Sequence, residues 1–410
     1  YDFTGPGVPR AEKLIPLWES NVTAEYILRV GECRLTGHTM PQWMDEDVEE
    51  VMQARQMNSP LALSESNKEL SAEPFCRRPF NQISVTCEGD VFMCCWQNKP
   101  HMSPGNVARA TPEEVWNSKT YQIARSDILA GRMPAVCEEA NGCPYHYTKN
   151  QPSYFQFDPK KGPGFIDINL PNFACNIGGP RPSEKNPACI MCERNTPGYR
   201  FQDAKDFDLV LKRLSTLMPQ LHALHVQGVA EPFWKDAIFD VLDKLDFDPY
   251  KEQITVTTVT NGTVFTPERQ KRFLERCGPT VVNISVDAAT SDTYRKIRRL
   301  NIWDTLVKNI LHYGELRKTY PKALFRIQNN INLLNVHEVK GMVQMAAQAG
   351  VDSLELNPTG GNPVEYLVNA SNAHIFKRAE EEARREAERL GLMLEILRPL
   401  DLGLAEVNQD

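Results

Sequence analysis

Three cysteines near the middle of the chain, Cys175, Cys189 and Cys192, have the residue type and spacing of a cluster or metal site. Three thiolates can hold a four-iron cluster and leave the fourth iron open for a substrate or cofactor. An alternating apolar run over residues 165–170 precedes them and predicts a strand. A CxxC pair with a third Cys upstream, placed after a strand, is more typical of a cluster or metal site than of chance packing.

Zinc is the alternative occupant of this site. A structural zinc site requires a fourth protein ligand, and no further His or Cys lies close to these three in the sequence. Thirteen residues separate Cys175 from Cys189, and they are rich in Gly and Pro, so this segment must be a loop. A long loop can still return the chain to the same iron atom.

A second group of cysteines lies nearer the start of the chain. Its members are Cys76, Cys87, Cys94, Cys95, Cys137 and Cys143. The string NQISVTCEGDVFMCC alternates in strand fashion on both sides of Gly89, which predicts a hairpin with glycine at its turn. Thr111, followed by Pro112 and by Glu114 at the third helical position, predicts the start of a capped helix.

Composition restricts the class of protein. The chain has 410 residues, enough for two domains, and a net charge of −7, which gives no electrostatic footprint for nucleic acid. No apolar run is long enough for a membrane span, and the first residues show no signal-peptide pattern. The 11 cysteines are odd in number and clustered, which argues against a secreted disulfide framework and favours a reduced, cytoplasmic protein.

The rest of the chain alternates strands and helices. Predicted strands are 165–170, 221–227, 253–259, 280–286, 324–332 and 352–357, and predicted helices are 203–217, 233–245, 267–276, 291–319 (broken), 336–349 and 371–389. This alternation predicts an α/β fold with parallel βαβ units, in which a partial (β/α)6 barrel carries its active site at the C-terminal strand ends. We expect an N-terminal extension of unknown role (1–70), a small α+β module (71–160) and the barrel (161–400).

Four motifs follow the predicted strands, and in this order they resemble those of the radical S-adenosylmethionine (SAM) superfamily. They are CIMC at 189–192, QGVAEP at 227–232, TNG at 260–262, and NISVDAAT at 283–290 followed by Tyr294 and Arg298. The family usually spaces its ligands CxxxCxxC, so the long loop after Cys175 is a departure from its pattern. The resemblance implies that Cys175, Cys189 and Cys192 bind a [4Fe–4S] cluster whose open iron is chelated by SAM.

The resemblance also implies roles for residues around SAM. Glu231 would accept hydrogen bonds from the methionine amino group, and Gly228 belongs to the same motif. Ser285 and Arg298 are candidates for the ribose and the methionine carboxylate, and Asn261 for supporting either the ribose or an ordinary turn. Arg326, Gln328, Asn330 and Asn332 alternate along the fifth barrel strand, as either substrate or SAM contacts or a solvated strand face. His222 and His225 are expected to be core or surface histidines.

The second cysteine group resembles the SPASM and twitch auxiliary-cluster modules. Cys76, Gly89 and Cys94 match the C-x12-G-x4-C pattern, and the resemblance implies a second [4Fe–4S] cluster held by Cys76, Cys94, Cys137 and Cys143. The module departs from the family in preceding the barrel and in its final C-x5-C spacing. Cys87 or Cys95 could therefore replace one ligand, and a four-Cys zinc ribbon is the alternative. Cys33 and Cys277 are expected to be ordinary buried thiols.

The resemblance implies an enzyme that reductively cleaves SAM and uses the 5′-deoxyadenosyl radical to take hydrogen from a substrate C–H bond. We expect oxidation or epimerisation of a small-molecule or sugar-type substrate, with a flavodoxin or ferredoxin as electron donor and no nucleic-acid or membrane partner. A peptide-modifying enzyme remains the first alternative. The alternative from another class is a non-catalytic zinc-ribbon interaction protein.

Overall fold

The computed structural model describes residues 76–94, 97, 102–138, 162–171, 188–195, 202, 204–228, 230–358, 364–369 and 371–396. The expectations for residues 1–70, Cys33, Cys95, Cys143 and Cys175 lie outside these ranges.

Ten strands form one sheet. They are β1 (Gln82–Val85), β2 (Asp90–Phe92), β3 (Gly105–Asn106), β4 (Phe165–Asn169), β5 (Ala223–Gln227), β6 (Thr255–Thr260), β7 (Thr280–Ser285), β8 (Ala323–Asn330), β9 (Ser353–Asn357) and β10 (Met393–Ile396). Their spatial order is β10-β9-β8-β7-β6-β5-β4-β1-β2-β3. Strand β1 pairs in parallel with β4, and each strand from β4 to β10 pairs in parallel with the next. Strand β2 pairs antiparallel with both β1 and β3. The predicted α/β class is confirmed, and in the described part of the chain no pairing closes β10 onto β3.

Eleven α-helices lie in the described ranges. They are α1 (Arg78–Asn81), α2 (Pro112–Trp116), α3 (Lys119–Leu129), α4 (Ala135–Glu138), α5 (Phe207–Leu214), α6 (Ala237–Lys244), α7 (Pro267–Arg276), α8 (Ser291–Arg298), α9 (Trp303–Leu316), α10 (Val339–Gln348) and α11 (Ala373–Leu390). The predicted capping box is present, because Thr111 and Glu114 each bond the other's backbone N–H. The break expected within 291–319 lies at Arg299, whose backbone is left-handed at φ +58°.

Alternation along the strands gives the sheet two different faces. Side chains such as Ile166, Val226 and Phe325 lie on one face and share a continuous apolar core with the helices. The opposite face, which we call the polar face, carries Ser84, Asp167, Asn169, His225, Gln227, Thr257, Asn283, Ser285, Arg326, Gln328, Glu355 and Glu395. The polar alternation predicted for β8 therefore holds through Asn330. Asn332 lies beyond the strand, buried in a turn with Asn335.

The N-terminal module is continuous with the barrel sheet. Strand β1 pairs in parallel with β4, from Gln82 opposite Phe165 to Val85 opposite Ile168. Arg213 of α5 reaches back and donates to the backbone carbonyls of Val107 and Ala110. The cysteine-rich hairpin is thus built onto β4, the strand that precedes Cys175 in the sequence.

Candidate active site

A buried carboxylate marks the C-terminal edge of β5 and β6, where open α/β sheets bind their ligands. Glu231 is 1% exposed. Its Oε1 accepts from Thr260 Oγ1 at 2.5 Å and from the Phe233 N–H at 3.4 Å, and its Oε2 accepts from the Asn261 N–H at 2.8 Å. Glu231 is therefore an internal group held by both strand ends.

The electrostatics of Glu231 favour a cationic ligand. Burial raises the pKa of its carboxyl to about 7, against the hydrogen bonds from Thr260, Asn261 and Phe233 and the positive charge of Arg298. The ionised carboxylate is costly in the ligand-free protein because its hydrogen bonds do not fully replace water. An ammonium group next to it would lower that cost.

Arg298 is held at the same edge by Asp287. Its Nη2 lies 2.6 Å from Asp287 Oδ2, and both side chains are buried. Asp287 has a left-handed backbone at φ +65°, its Oδ1 accepts from the Asn330 N–H, and its own N–H donates to Asn329 Oδ1. Burial raises the pKa of Asp287, and the charge of Arg298 opposes that effect. The ion pair is thus fixed from β8.

The CxxC turn docks against the C-terminal end of α8. The Ile190 N–H donates to the Ile297 carbonyl, and the Cys192 N–H donates to the Cys189 carbonyl. Arg298 Nη1 lies 3.9 Å from Cys189 Sγ, and Arg194 Nε lies 3.4 Å from Cys192 Sγ. Two guanidinium groups therefore face the two sulfur atoms.

The remaining predicted residues at this edge have structural contacts. Gly228 has φ +148°, and a Cβ there would lie 3.0 Å from the Leu170 backbone, so glycine permits the close approach of the β4 and β5 ends. Asn261 Oδ1 accepts from the N–H and hydroxyl of Thr263, as an ordinary turn would require. Ser285 Oγ accepts from Gln328 at 2.8 Å. Their cofactor-binding roles stay predictions.

Three of the four predicted auxiliary ligands, Cys76, Cys94 and Cys137, lie near one another on the N-terminal module. Burial raises the pKa of the Cys76 thiol, and the nearby Cys94 and Cys137 raise it further, while Arg78 opposes the effect. Gln97 joins the group, donating to Cys137 Sγ at 3.4 Å and accepting from the Met93 N–H.

Two other cysteines lie apart from that group. Cys87 is at the opposite end of the hairpin and donates to Gln202, which favours a ligand set without it. Cys277 is buried with a raised pKa, as expected of an ordinary thiol. Within the described ranges, no three Cys, His or acidic side chains converge closely enough to hold a metal by themselves.

Sequence reasoning missed three contributors to the candidate site. Asp287 and Thr260 stand inside motifs, but the sequence does not show that one anchors Arg298 and the other bonds Glu231. An acidic residue directly after a strand was the available signal for Asp287. Gln97 had no signal beyond its position after Cys94.

Comparison with known families agrees with this arrangement. Residues 76–144 match the SPASM iron–sulfur cluster-binding domain, and residues 186–323 match the radical SAM superfamily. The chain therefore contains a radical SAM domain and a SPASM-type auxiliary-cluster domain. No curated protein matches it in sequence. None of the described helices is both long and apolar enough to cross a membrane.

Several solved structures are similar at low identity. Streptococcus suis SuiB is 14% identical over 51% of this chain and 46% of its own, with a TM-score of 0.37. The same protein bound to precursor peptide SuiA is 13% identical over 77% and 71%, with a TM-score of 0.41. A radical SAM methyltransferase from Sphaerobacter thermophilus is 13% identical over 53% and 64%, with a TM-score of 0.37. This chain thus spans about half the length of SuiB in the first comparison.

The two domains imply SAM, a SAM-binding [4Fe–4S] cluster and an auxiliary [4Fe–4S] cluster. The residues present fit these groups. Cys189 and Cys192 would supply soft sulfur ligands beside two guanidinium groups, and Glu231 would supply a buried carboxylate for an ammonium group. The all-sulfur group of Cys76, Cys94 and Cys137 likewise suits an iron–sulfur cluster.

Proposed function

We propose that this protein is a radical SAM enzyme that takes hydrogen from a substrate C–H bond and oxidises or epimerises a small-molecule or sugar-type substrate. When bound, SAM and the clusters supply the one-electron chemistry, and the protein supplies orientation and a water-poor site. The observation that carries the proposal is Glu231, a buried carboxylate with a raised pKa at the edge where Arg298 and Cys189 also meet.

Side chains of opposite charge would bind the two charged groups of the methionine part of SAM. Glu231 would hold the methionine ammonium of SAM, and Arg298, oriented by Asp287, would face its carboxylate. Ser285 and Asn261 would contact the ribose. Cys175, Cys189 and Cys192 would hold the SAM-binding cluster.

The auxiliary cluster would be held by Cys76, Cys94, Cys137 and Cys143. A cluster closed by four thiolates has no open iron for SAM, so we assign it to electron transfer with the substrate or to substrate positioning. Thiolate ligands require reducing conditions, and we therefore propose a cytoplasmic location with a flavodoxin or ferredoxin as donor.

The test is SAM cleavage by the anaerobically reconstituted protein under strong reduction. Wild-type protein should form 5′-deoxyadenosine and methionine, and the variant with Cys175, Cys189 and Cys192 changed to Ala should form none. The alternative of a peptide-modifying enzyme is tested by mass spectrometry of candidate peptides and polyols after turnover. Stoichiometric zinc with little iron, as a zinc-ribbon protein would show, contradicts the proposal.

A further inference from the structure

One row of polar side chains crosses the sheet below the SAM edge. Ser84 of β1 pairs with Asp167 of β4, Asp167 with His225 of β5, and His225 with Thr257 of β6, so all four stand at the same register level. The row ends at Val281 of β7. All four residues lie on the polar face, away from the helices, at the seam between the N-terminal module and the barrel.

The first half of the row is already hydrogen-bonded. Asp167 is 1% exposed, and its carboxylate accepts from Ser84 Oγ at 2.8 Å and from Gln227 Nε2 at 3.0 Å. Its Oδ1 lies 3.6 Å from His225 Nδ1, an electrostatic contact that is too long for a hydrogen bond. Phe165 stacks on the imidazole ring at 6.5 Å between centroids. Asp167 and Phe165 therefore orient the imidazole.

The second half contains an unsatisfied group. Thr257 is 3% exposed, and among the described residues its hydroxyl has no hydrogen-bond partner. A buried hydroxyl without a partner costs stability, and a valine of the same shape would avoid that cost. The neighbouring Thr258 is different, since its hydroxyl lies on the other face and donates to the Val226 carbonyl at 2.8 Å.

The distance of the row from the C-terminal ends of the strands suits a substrate bound next to SAM. Asp167 and His225 lie two residues before Asn169 and Gln227, at the ends of β4 and β5, which places the row about 7 Å below the edge that carries Glu231. Asp167 is already engaged by hydrogen bonds from Ser84 and Gln227, so the imidazole of His225 and the hydroxyl of Thr257 define the chemistry that the row offers to a ligand. Both groups can donate and accept hydrogen bonds, as can an alcohol.

We propose that Asp167, His225 and Thr257 form a binding site for a hydroxyl group of a polyol or sugar-type substrate. Thr257 and His225 bond the hydroxyl directly, and Asp167 is a positioning residue for the imidazole. The inference rests on the proposed function and names the chemical group that the polar face recognises.

Two measurements test the site, and the first needs no turnover. Thr257→Val should leave the melting temperature of the reconstituted protein unchanged or raise it by a few degrees, because it removes an unpartnered buried hydroxyl. Thr258→Val, the matched control, should lower the melting temperature, because it removes the buried hydrogen bond from the Thr258 hydroxyl to the Val226 carbonyl. Equal destabilisation by both changes means that the Thr257 hydroxyl has a structural partner, and it overturns the proposal.

The second measurement uses carbon-deuterated probes with SAM and reductant: D-glucose, leucine and a capped serine peptide. Deuterium should enter 5′-deoxyadenosine from glucose and not from leucine. The deuterium fraction of the 5′-deoxyadenosine formed should fall about tenfold or more in Thr257→Val and His225→Phe. It should stay unchanged in Thr258→Val. Transfer only from the peptide or from leucine, or an unchanged fraction in both site variants, overturns the proposal.

The two proposals fail in different ways. Wild-type protein that forms no 5′-deoxyadenosine refutes the proposed function, and the melting comparison of Thr257→Val with Thr258→Val still decides whether the row is a built ligand site. Normal 5′-deoxyadenosine formation without deuterium from glucose refutes only the site.

Discussion

Replacing Glu231 with Gln should make the ligand-free protein more stable at alkaline pH while weakening SAM binding. Burial raises the pKa of this carboxyl from 4.5 to about 7, a change that corresponds to roughly 3 kcal/mol. The folded protein favours the neutral form, so this contribution to stability is complete below about pH 4.5 and is lost as the pH rises through about 7. Gln has the shape of the neutral acid and does not ionise.

The unfolding free energies of Glu231→Gln and wild type should therefore diverge as the pH rises. The unfolding free energy of Glu231→Gln minus that of wild type should increase by up to roughly 3 kcal/mol from about pH 5 to about pH 8. SAM affinity at about pH 8 should fall about ten- to a hundredfold, because the variant lacks a charged acceptor for the ammonium. The assays are denaturant unfolding and anaerobic calorimetric titration with SAM.

Glu338 offers a control, because its carboxyl pKa is shifted in the opposite direction from that of Glu231. Burial acts to raise the pKa of Glu338, but hydrogen bonds from Thr290, Thr293 and the Ala289 N–H outweigh it and hold the pKa below the usual range. Its stabilisation is present above about pH 4.5 and is lost as the pH falls, so Glu338→Gln should be destabilising at neutral pH. Parallel pH curves for Glu231→Gln and wild type, together with unchanged SAM affinity, would refute the reasoning.

Three further predictions concern the two cluster sites. Asp287→Asn should lower the melting temperature and weaken SAM binding at least about tenfold by calorimetry, because it leaves Arg298 with a buried, uncompensated charge. Unchanged SAM affinity would show that the ion pair does not position Arg298. Changing Cys175, Cys189 and Cys192 to Ala should leave about half of the iron found in wild type by metal analysis, since one of two clusters is lost; an unchanged iron content would contradict the assigned ligands. The Cys76→Ala and Cys137→Ala variants should retain SAM cleavage but form no product in chromatographic assays. Full product formation in a folded variant that lacks the auxiliary cluster would rule out the proposed roles of that cluster.

Periodicity predicted the barrel strands well. The ends of the six strands β4 to β9 lie within two residues of their predicted positions. Short β-branched and apolar runs between helices are rarely compatible with any element other than a buried strand. Strand β10 was missed because its four residues follow a long charged helix and give a weak pattern. The predicted helix 203–217 ends instead at Leu214, where a 3₁₀ segment containing Pro219 replaces the last turn.

The candidate site was predictable only in its residue types. Motifs pointed to Glu231 and Arg298, but the ion pair of Arg298 with Asp287 depends on a left-handed backbone and on contacts from β8, 42 and 43 residues away. The parallel pairing of β1 with β4 joins segments about 80 residues apart, and no local pattern specifies it. His225 was expected to be an ordinary core or surface histidine, and its register with Asp167 and Thr257 emerges only from the pairing of β5 with β4 and with β6.

Electron paramagnetic resonance of the reduced, reconstituted protein with and without SAM tests the central claim most directly. We predict signals from two [4Fe–4S] clusters, of which only one changes when SAM is added. The SAM-responsive signal should persist in Cys76→Ala and disappear when Cys189 and Cys192 are changed to Ala. A spectrum that SAM does not alter, or a SAM-responsive signal that survives loss of Cys189 and Cys192, would contradict the assignment of the two cluster sites.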